Sequence, residues 1–102
     1  MEEQRPKLLQ ALQSYHPQRI ILFGSVARGE ADADSDLDVL VIKDTTDPFV
    51  RRLEAMAELC PLGVHADMLV YTPDELRQMV AEGNPFILQA LQEGRTVYEA
   101  GP

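Results

Sequence analysis

A chain of 102 residues has the size of one domain, and 45% hydrophobic with 25% charged residues excludes a disordered composition. Nine basic residues against 17 acidic ones leave a formal charge of −8, which repels phosphate backbones and argues against a nucleic-acid binder working through a basic patch. A single cysteine, Cys60, cannot form an internal disulfide and points to a reducing compartment. No apolar run approaches the roughly 20 residues of a membrane span, and the start carries no signal-peptide core, so a cytoplasmic protein is expected.

Along residues 1–15, Leu8, Leu9, Leu12 and Tyr15 recur at helical spacing, with Pro6 tolerable in the first turn and His16-Pro17 closing the helix. Residues 20–23, Ile-Ile-Leu-Phe, are the short continuous apolar run of a strand buried on both faces. Ser25 is placed to cap a short helical turn through Arg28, ended by Gly29. A second central strand over 37–42 follows, rich in β-branched residues. Asp47-Pro48 reads as an N-cap with proline at the first helical position. The helix behind it then places Phe49, Leu53, Met56, Ala57 and Cys60 on one face, until Pro61 and Gly63 stop it.

Residues 64–71 read as a third strand, with Val64, Ala66, Met68 and Val70 on one face and His65, Asp67, Leu69 and Tyr71 on the other. Thr72-Pro73-Asp74-Glu75 is a capping box that starts a helix using Leu76, Met79 and Val80. Asn84-Pro85 repeats the device and launches Phe86, Ile87, Leu88, Ala90 and Leu91, closed by Gly94, after which 95–98 form a short edge strand. There are no repeats and no linker, so residues 1–102 are expected to form a single domain. The order α-β-β-α-β-α-α-β predicts an α/β (α+β) fold, a small mixed sheet of three to four strands with helices packed against it.

The chemistry gathers between the first two strands. Asp36 and Asp38 lie two apart on a strand, so their carboxylates project from one face and repel each other unless a cation lies between them. Such hard oxygen ligands suit Mg2+. Asp67 adds a third carboxylate if its strand lies beside the second, and three carboxylates can hold two metals about 3.5–4 Å apart for phosphoryl chemistry. Upstream, Gly24 lets backbone approach a phosphate, Ser25 offers a hydroxyl at a helix start, and Arg28 adds a cation for a triphosphate tail.

Two other motifs fail on spacing. Gly24 and Gly29 imitate a P-loop, but Glu30 stands where the lysine belongs. Asp32, Asp34 and Asp36 imitate a calcium loop, but Leu37 and Lys43 occupy its glycine and glutamate positions. Plainer roles are weighed beside the sharp ones. Asp32 and Asp34 read as turn residues, Arg28 divides between a phosphate and a pairing with Glu30, His65 reads as a half-exposed strand residue, and Cys60 reads as core.

The pattern Gly24-Ser25, ten residues, Asp36-x-Asp38 resembles the signature of the DNA polymerase β-like nucleotidyltransferase superfamily. The short length and the ending Glu93-Gly94-Arg95-Thr96-Val97-Tyr98-Glu99 resemble, more narrowly, its minimal nucleotidyltransferase (MNT) domains. The resemblance implies that Asp36 and Asp38 bind Mg2+, as two ions, with Asp67 as the third carboxylate. It also implies that Gly24 and Ser25 hold nucleotide phosphates and that Arg28 stands at a phosphate-binding position. MNT proteins commonly serve as antitoxins of HEPN-domain ribonuclease toxins, and some transfer AMP from ATP to a toxin tyrosine. The resemblance therefore implies ATP as substrate and a HEPN partner in a hetero-oligomer, while the acidic charge and the lack of a long apolar run argue against direct contact with nucleic acid or membrane. Two alternatives stand beside the enzyme: a non-catalytic antitoxin that neutralises a basic partner by binding it, and a nucleotide sensor without transfer.

Overall fold

The structure is a computed structural model and describes residues 4–24 and 37–100. Its elements are α1 (Gln4–Gln13), β1 (Arg19–Phe23), β2 (Leu37–Ile42), α2 (Phe49–Leu59), β3 (Ala66–Tyr71), α3 (Pro73–Ala81), α4 (Pro85–Glu93) and β4 (Arg95–Glu99). The strands form one four-stranded sheet in the order β3-β2-β1-β4. β1 pairs antiparallel with β2 and with β4, whereas β3 runs parallel to β2, so the sheet is mixed as expected. The parallel pair requires a crossover between its strands, and α2 lies in that connection.

The alternation of β2 divides the interior in two. Leu37, Val39 and Val41 face the layer of α1 and α2, where they join Leu8, Leu12, Ile20, Leu22, Met56, Val64 and Val70. Leu40 and Ile42 face the other way and pack with Ile21, and with Phe23, Leu69, Tyr71, Leu76 and Leu91 around them. Ile20, Ile21 and Leu22 are all buried, as a continuous apolar run in a central strand requires. Cys60 packs against the first of these cores and its Sγ donates to the Val64 carbonyl.

The helix starts follow local chemistry. Thr72 Oγ1 accepts from the Glu75 amide at 3.1 Å while Glu75 Oε1 accepts from the Thr72 amide at 2.8 Å, the reciprocal capping box read from the sequence. Asn84 Oδ1 likewise accepts from the Ile87 amide at 3.2 Å, with Pro85 opening the helix. At the end of α1 the chain leaves the helix through His16 at φ +58, and Lys43 Nζ donates to the Tyr15 carbonyl at 2.6 Å while lying 4.6 Å from the centroid of that ring. Gly94 brings α4 hard against β1. A Cβ there would meet Ile21 Cγ2 at 2.7 Å and the Leu22 carbonyl oxygen at 3.1 Å.

α2 departs from expectation in two ways. Its N-cap is Pro48 rather than Asp47, with no side-chain cap hydrogen bond. Its buried residues are Arg52 and Met56, while Phe49, Leu53 and Ala57 of the expected apolar face remain exposed. The cause is the Arg52 guanidinium, which takes the inward position because polar partners await it there. It donates to the Asp47 carbonyl (2.9 Å), the Val70 carbonyl (3.3 Å) and both carboxylate oxygens of Glu75 (2.7 and 3.3 Å). Asp47 thus serves α2 with its backbone oxygen. Among the described residues no helix is long and apolar enough to cross a membrane.

Candidate active site

Asp38 is the second residue of β2, half-buried, and on the face that carries Leu40 and Ile42. Its neighbours across the sheet are Phe23 on β1 and Asp67 on β3. Laterally paired residues share a face, so Asp38 and Asp67 stand side by side on adjoining strands, at the ends where β2 and β3 begin and β1 finishes. This is the condition on which the sequence reading of Asp67 depended. Asp67 is exposed and Asp38 half-buried, so the pair opens from the sheet toward solvent.

Gly24 follows β1 directly and adopts φ +77, a conformation that favours glycine. A Cβ built on it would run into the Asp38 carboxylate, lying 3.0 Å from Cγ and 3.2 Å from Cβ, with Oδ2 nearer still. The Gly24 backbone therefore lies directly on the Asp38 side chain. Of the other residues expected at the site, Ser25, Arg28 and Asp36 lie outside the described residues.

The donor set fits a hard divalent cation. Asp38 and Asp67 bring carboxylate oxygens from neighbouring strands in register, the ligand type that Mg2+ accepts in ones and twos beside water and phosphate. No group of three or more potential metal ligands forms among the described residues. Asp36, the remaining carboxylate of the expected set, is not among them.

A feature that the sequence did not reveal adjoins Gly24. Phe23, Gly24, Phe86, Gln89, Ala90 and Glu93 line a cleft of about 170 Å³ between the end of β1 and α4. Phe23 and Phe86 meet edge to face, with centroids 5.6 Å apart. Four of these residues lie more than 60 positions from Gly24, and their apolar members read simply as helix core, so nothing local marked them.

The sequence pattern of the family described as polymerase beta, nucleotidyltransferase matches residues 6–101. Over 80 residues the chain is 32% identical to "Putative protein adenylyltransferase MJ0604" of Methanocaldococcus jannaschii, an overlap spanning 78% of this chain and 77% of that protein. Two solved structures share the fold. A toxin-antitoxin crystallised with AMP-PNP superposes with a TM-score of 0.65 at 24% identity, over 93% of this chain and 73% of that one. A nucleotidyltransferase from Sulfolobus solfataricus, named as putative, gives 0.62 at 15% identity over 92% and 75%. The chain belongs to the polymerase beta nucleotidyltransferase family, and its activity class is nucleotidyl transfer.

Proposed function

We propose that residues 1–102 act as a single minimal nucleotidyltransferase domain, the antitoxin of a cytoplasmic toxin–antitoxin pair. It transfers AMP from ATP to a tyrosine hydroxyl of a HEPN-type ribonuclease toxin, and it requires Mg2+. The observation that carries the transfer reading is the lateral pairing of Asp38 with Asp67, with Gly24 pressed against Asp38. The M. jannaschii relative named as a protein adenylyltransferase supports a protein acceptor, and the structural neighbour crystallised with AMP-PNP supports a toxin partner and an adenine nucleotide.

In this reading Asp36, Asp38 and Asp67 hold the metal, which supplies charge neutralisation on the triphosphate. Gly24 admits the phosphates to the backbone, and Ser25 and Arg28 hold the two that depart. Asp67, the more exposed carboxylate, accepts the proton of the incoming hydroxyl. The hydroxyl oxygen bonds to the α-phosphorus, the bond from that phosphorus to the bridging oxygen of the β-phosphate breaks, and pyrophosphate leaves.

Intact mass of the co-purified partner after incubation with the protein, ATP and Mg2+ tests the proposal. Whole AMP increments are expected with the wild type and none with Asp38→Asn. Equal increments with both would sink it. The charge of −8 favours one second reading, in which the acidic chain covers a basic toxin and neutralises it without chemistry. That reading expects the toxin to stay inhibited, with unchanged mass, when ATP and Mg2+ are withheld.

A further inference from the structure

Among the described residues, β3 borders no strand on the side away from β2. In their parallel pairing the Leu37 amide donates to the His65 carbonyl and the Lys43 amide to the Tyr71 carbonyl, both at 3.0 Å. Odd-numbered residues of β3 thus turn their backbone groups toward β2, and Ala66, Met68 and Val70 turn theirs outward. Arg52 closes one end of this outer edge, because its Nη1 donates to the Val70 carbonyl. The outward groups of Ala66 and Met68 meet no such cap among the described residues. An open edge is a template for another strand, and here it is two residues long with Asp67 between them.

The two faces beside that edge differ in chemistry. Met68 lies on the α2 side of the sheet and packs against its core. Phe49 meets the Tyr71 ring with centroids 5.7 Å apart, which sets that flank of α2 beside β3. Leu53, 38% exposed, and Ala57, also exposed, continue the flank at one-turn intervals. Asp67 lies on the other face with Asp38. The exposed charge is mainly acidic: Asp67, Glu54 and Glu58 stand in solvent, and Arg51 is already engaged with Glu54 at 3.9 Å.

We propose that this edge docks the acceptor protein, which adds an extended segment as a strand alongside β3. Alternate apolar residues of the segment lie along the flank of α2. Basic residues, with the acceptor hydroxyl among them, turn to the face of Asp67. The residue laterally paired with Asp67 thereby brings its hydroxyl to the carboxylate assigned to take its proton. The inference rests on the nucleotidyl-transfer reading and adds to it how the acceptor is held.

Amide hydrogen exchange of the full chain, resolved by NMR, tests the edge directly. The probe is a short synthetic peptide in which lysine and valine alternate about a tyrosine, the valines on one face and the lysines and tyrosine on the other. At ten times its dissociation constant it should slow exchange at the Ala66 and Met68 amides about tenfold. The Asp67 and Leu69 amides, already turned to β2, should not change. Ala66→Pro removes an outward donor at the first position of an edge strand, where proline is tolerated, and Ala66→Val retains it. The proline variant should bind the peptide about tenfold more weakly, with AMP-PNP affinity in Mg2+ unchanged, and the valine variant should bind it as wild type does. Unchanged exchange at both amides overturns the docking edge, whatever the proline variant does. A peptide that protects both amides yet gains no AMP from ATP, while the co-purified partner does, overturns the acceptor role. No AMP on either overturns the transfer reading instead.

Discussion

Gly24→Ala is expected to remove nucleotidyl transfer while leaving the chain folded. The substitution fails twice over. Alanine at φ +77 is strained by about 1–2 kcal/mol, which a folded domain can absorb. The added Cβ, however, has nowhere to go, because it would stand 3.0 Å from Asp38 Cγ with the carboxylate oxygen closer still. Either the Asp38 carboxylate rotates away or the end of β1 shifts from β2. Both displace the residue proposed as a metal ligand, and a misplacement of about 1 Å at a reacting centre costs on the order of 10²-fold in rate. The expected result is at least that loss in transfer from ATP, with a thermal midpoint lower by about 5–15 °C by circular dichroism and the cooperative transition retained. A Gly24→Ala variant with wild-type turnover would show that the Asp38 side chain need not occupy the position seen.

Arg52→Ala is expected to give the largest loss of stability, about 3 kcal/mol, read as a fall in thermal midpoint on the order of 10–20 °C. Arg52 is 5% exposed and joins three pieces of chain that meet only in the fold: the loop before α2, the end of β3 and the start of α3. Truncation leaves the Asp47 and Val70 carbonyls without this donor and opens the space of a long side chain. The same latch should make stability depend on acid. The hydrogen bond from Arg52, followed by that from the Thr72 amide, holds the Glu75 carboxyl below its ordinary range against the opposing effect of burial. A carboxyl whose value is depressed in the folded state stabilises the fold above its unfolded value, and that contribution disappears as pH falls through the folded value. The thermal midpoint of the wild type should therefore drop below about pH 4.5, the ordinary glutamate value, and Glu75→Gln should flatten part of that drop. An unaltered pH profile in Glu75→Gln would place the acid sensitivity elsewhere.

Much of this architecture could be read before the fold was seen, because its signals are local. Thr72 with Glu75 and Asn84 with Pro85 each contain a helix start within four residues, and the structure realises both. The two-residue period of a strand put Asp67 on the face opposite Val70, and that parity holds. Its neighbour did not follow from parity. Only the parallel pairing of β2 with β3 sets Asp67 beside Asp38, and that depends on the α2 crossover.

α2 shows where pattern reading fails. An arginine counts as a solvent residue when its partners cannot be seen, so the apolar set Phe49, Leu53 and Ala57 was turned inward. In the fold, Glu75 lies 23 residues further on and draws Arg52 in instead, rotating that set to the surface. The cleft between Phe23 and Phe86 was invisible for the same reason, since β1 and α4 adjoin only through tertiary packing.

Metal binding at the paired carboxylates tests the account most directly. Mn2+ substitutes for Mg2+ and is visible by electron paramagnetic resonance, so its affinity can be measured for the folded chain with AMP-PNP present. Wild-type protein should bind Mn2+, and Asp38→Asn and Asp67→Asn should each weaken it by about tenfold or more, since each removes a charged oxygen ligand. Wild-type affinity in both variants would contradict the account, because the two aspartates that the sheet sets side by side would then not be a metal site.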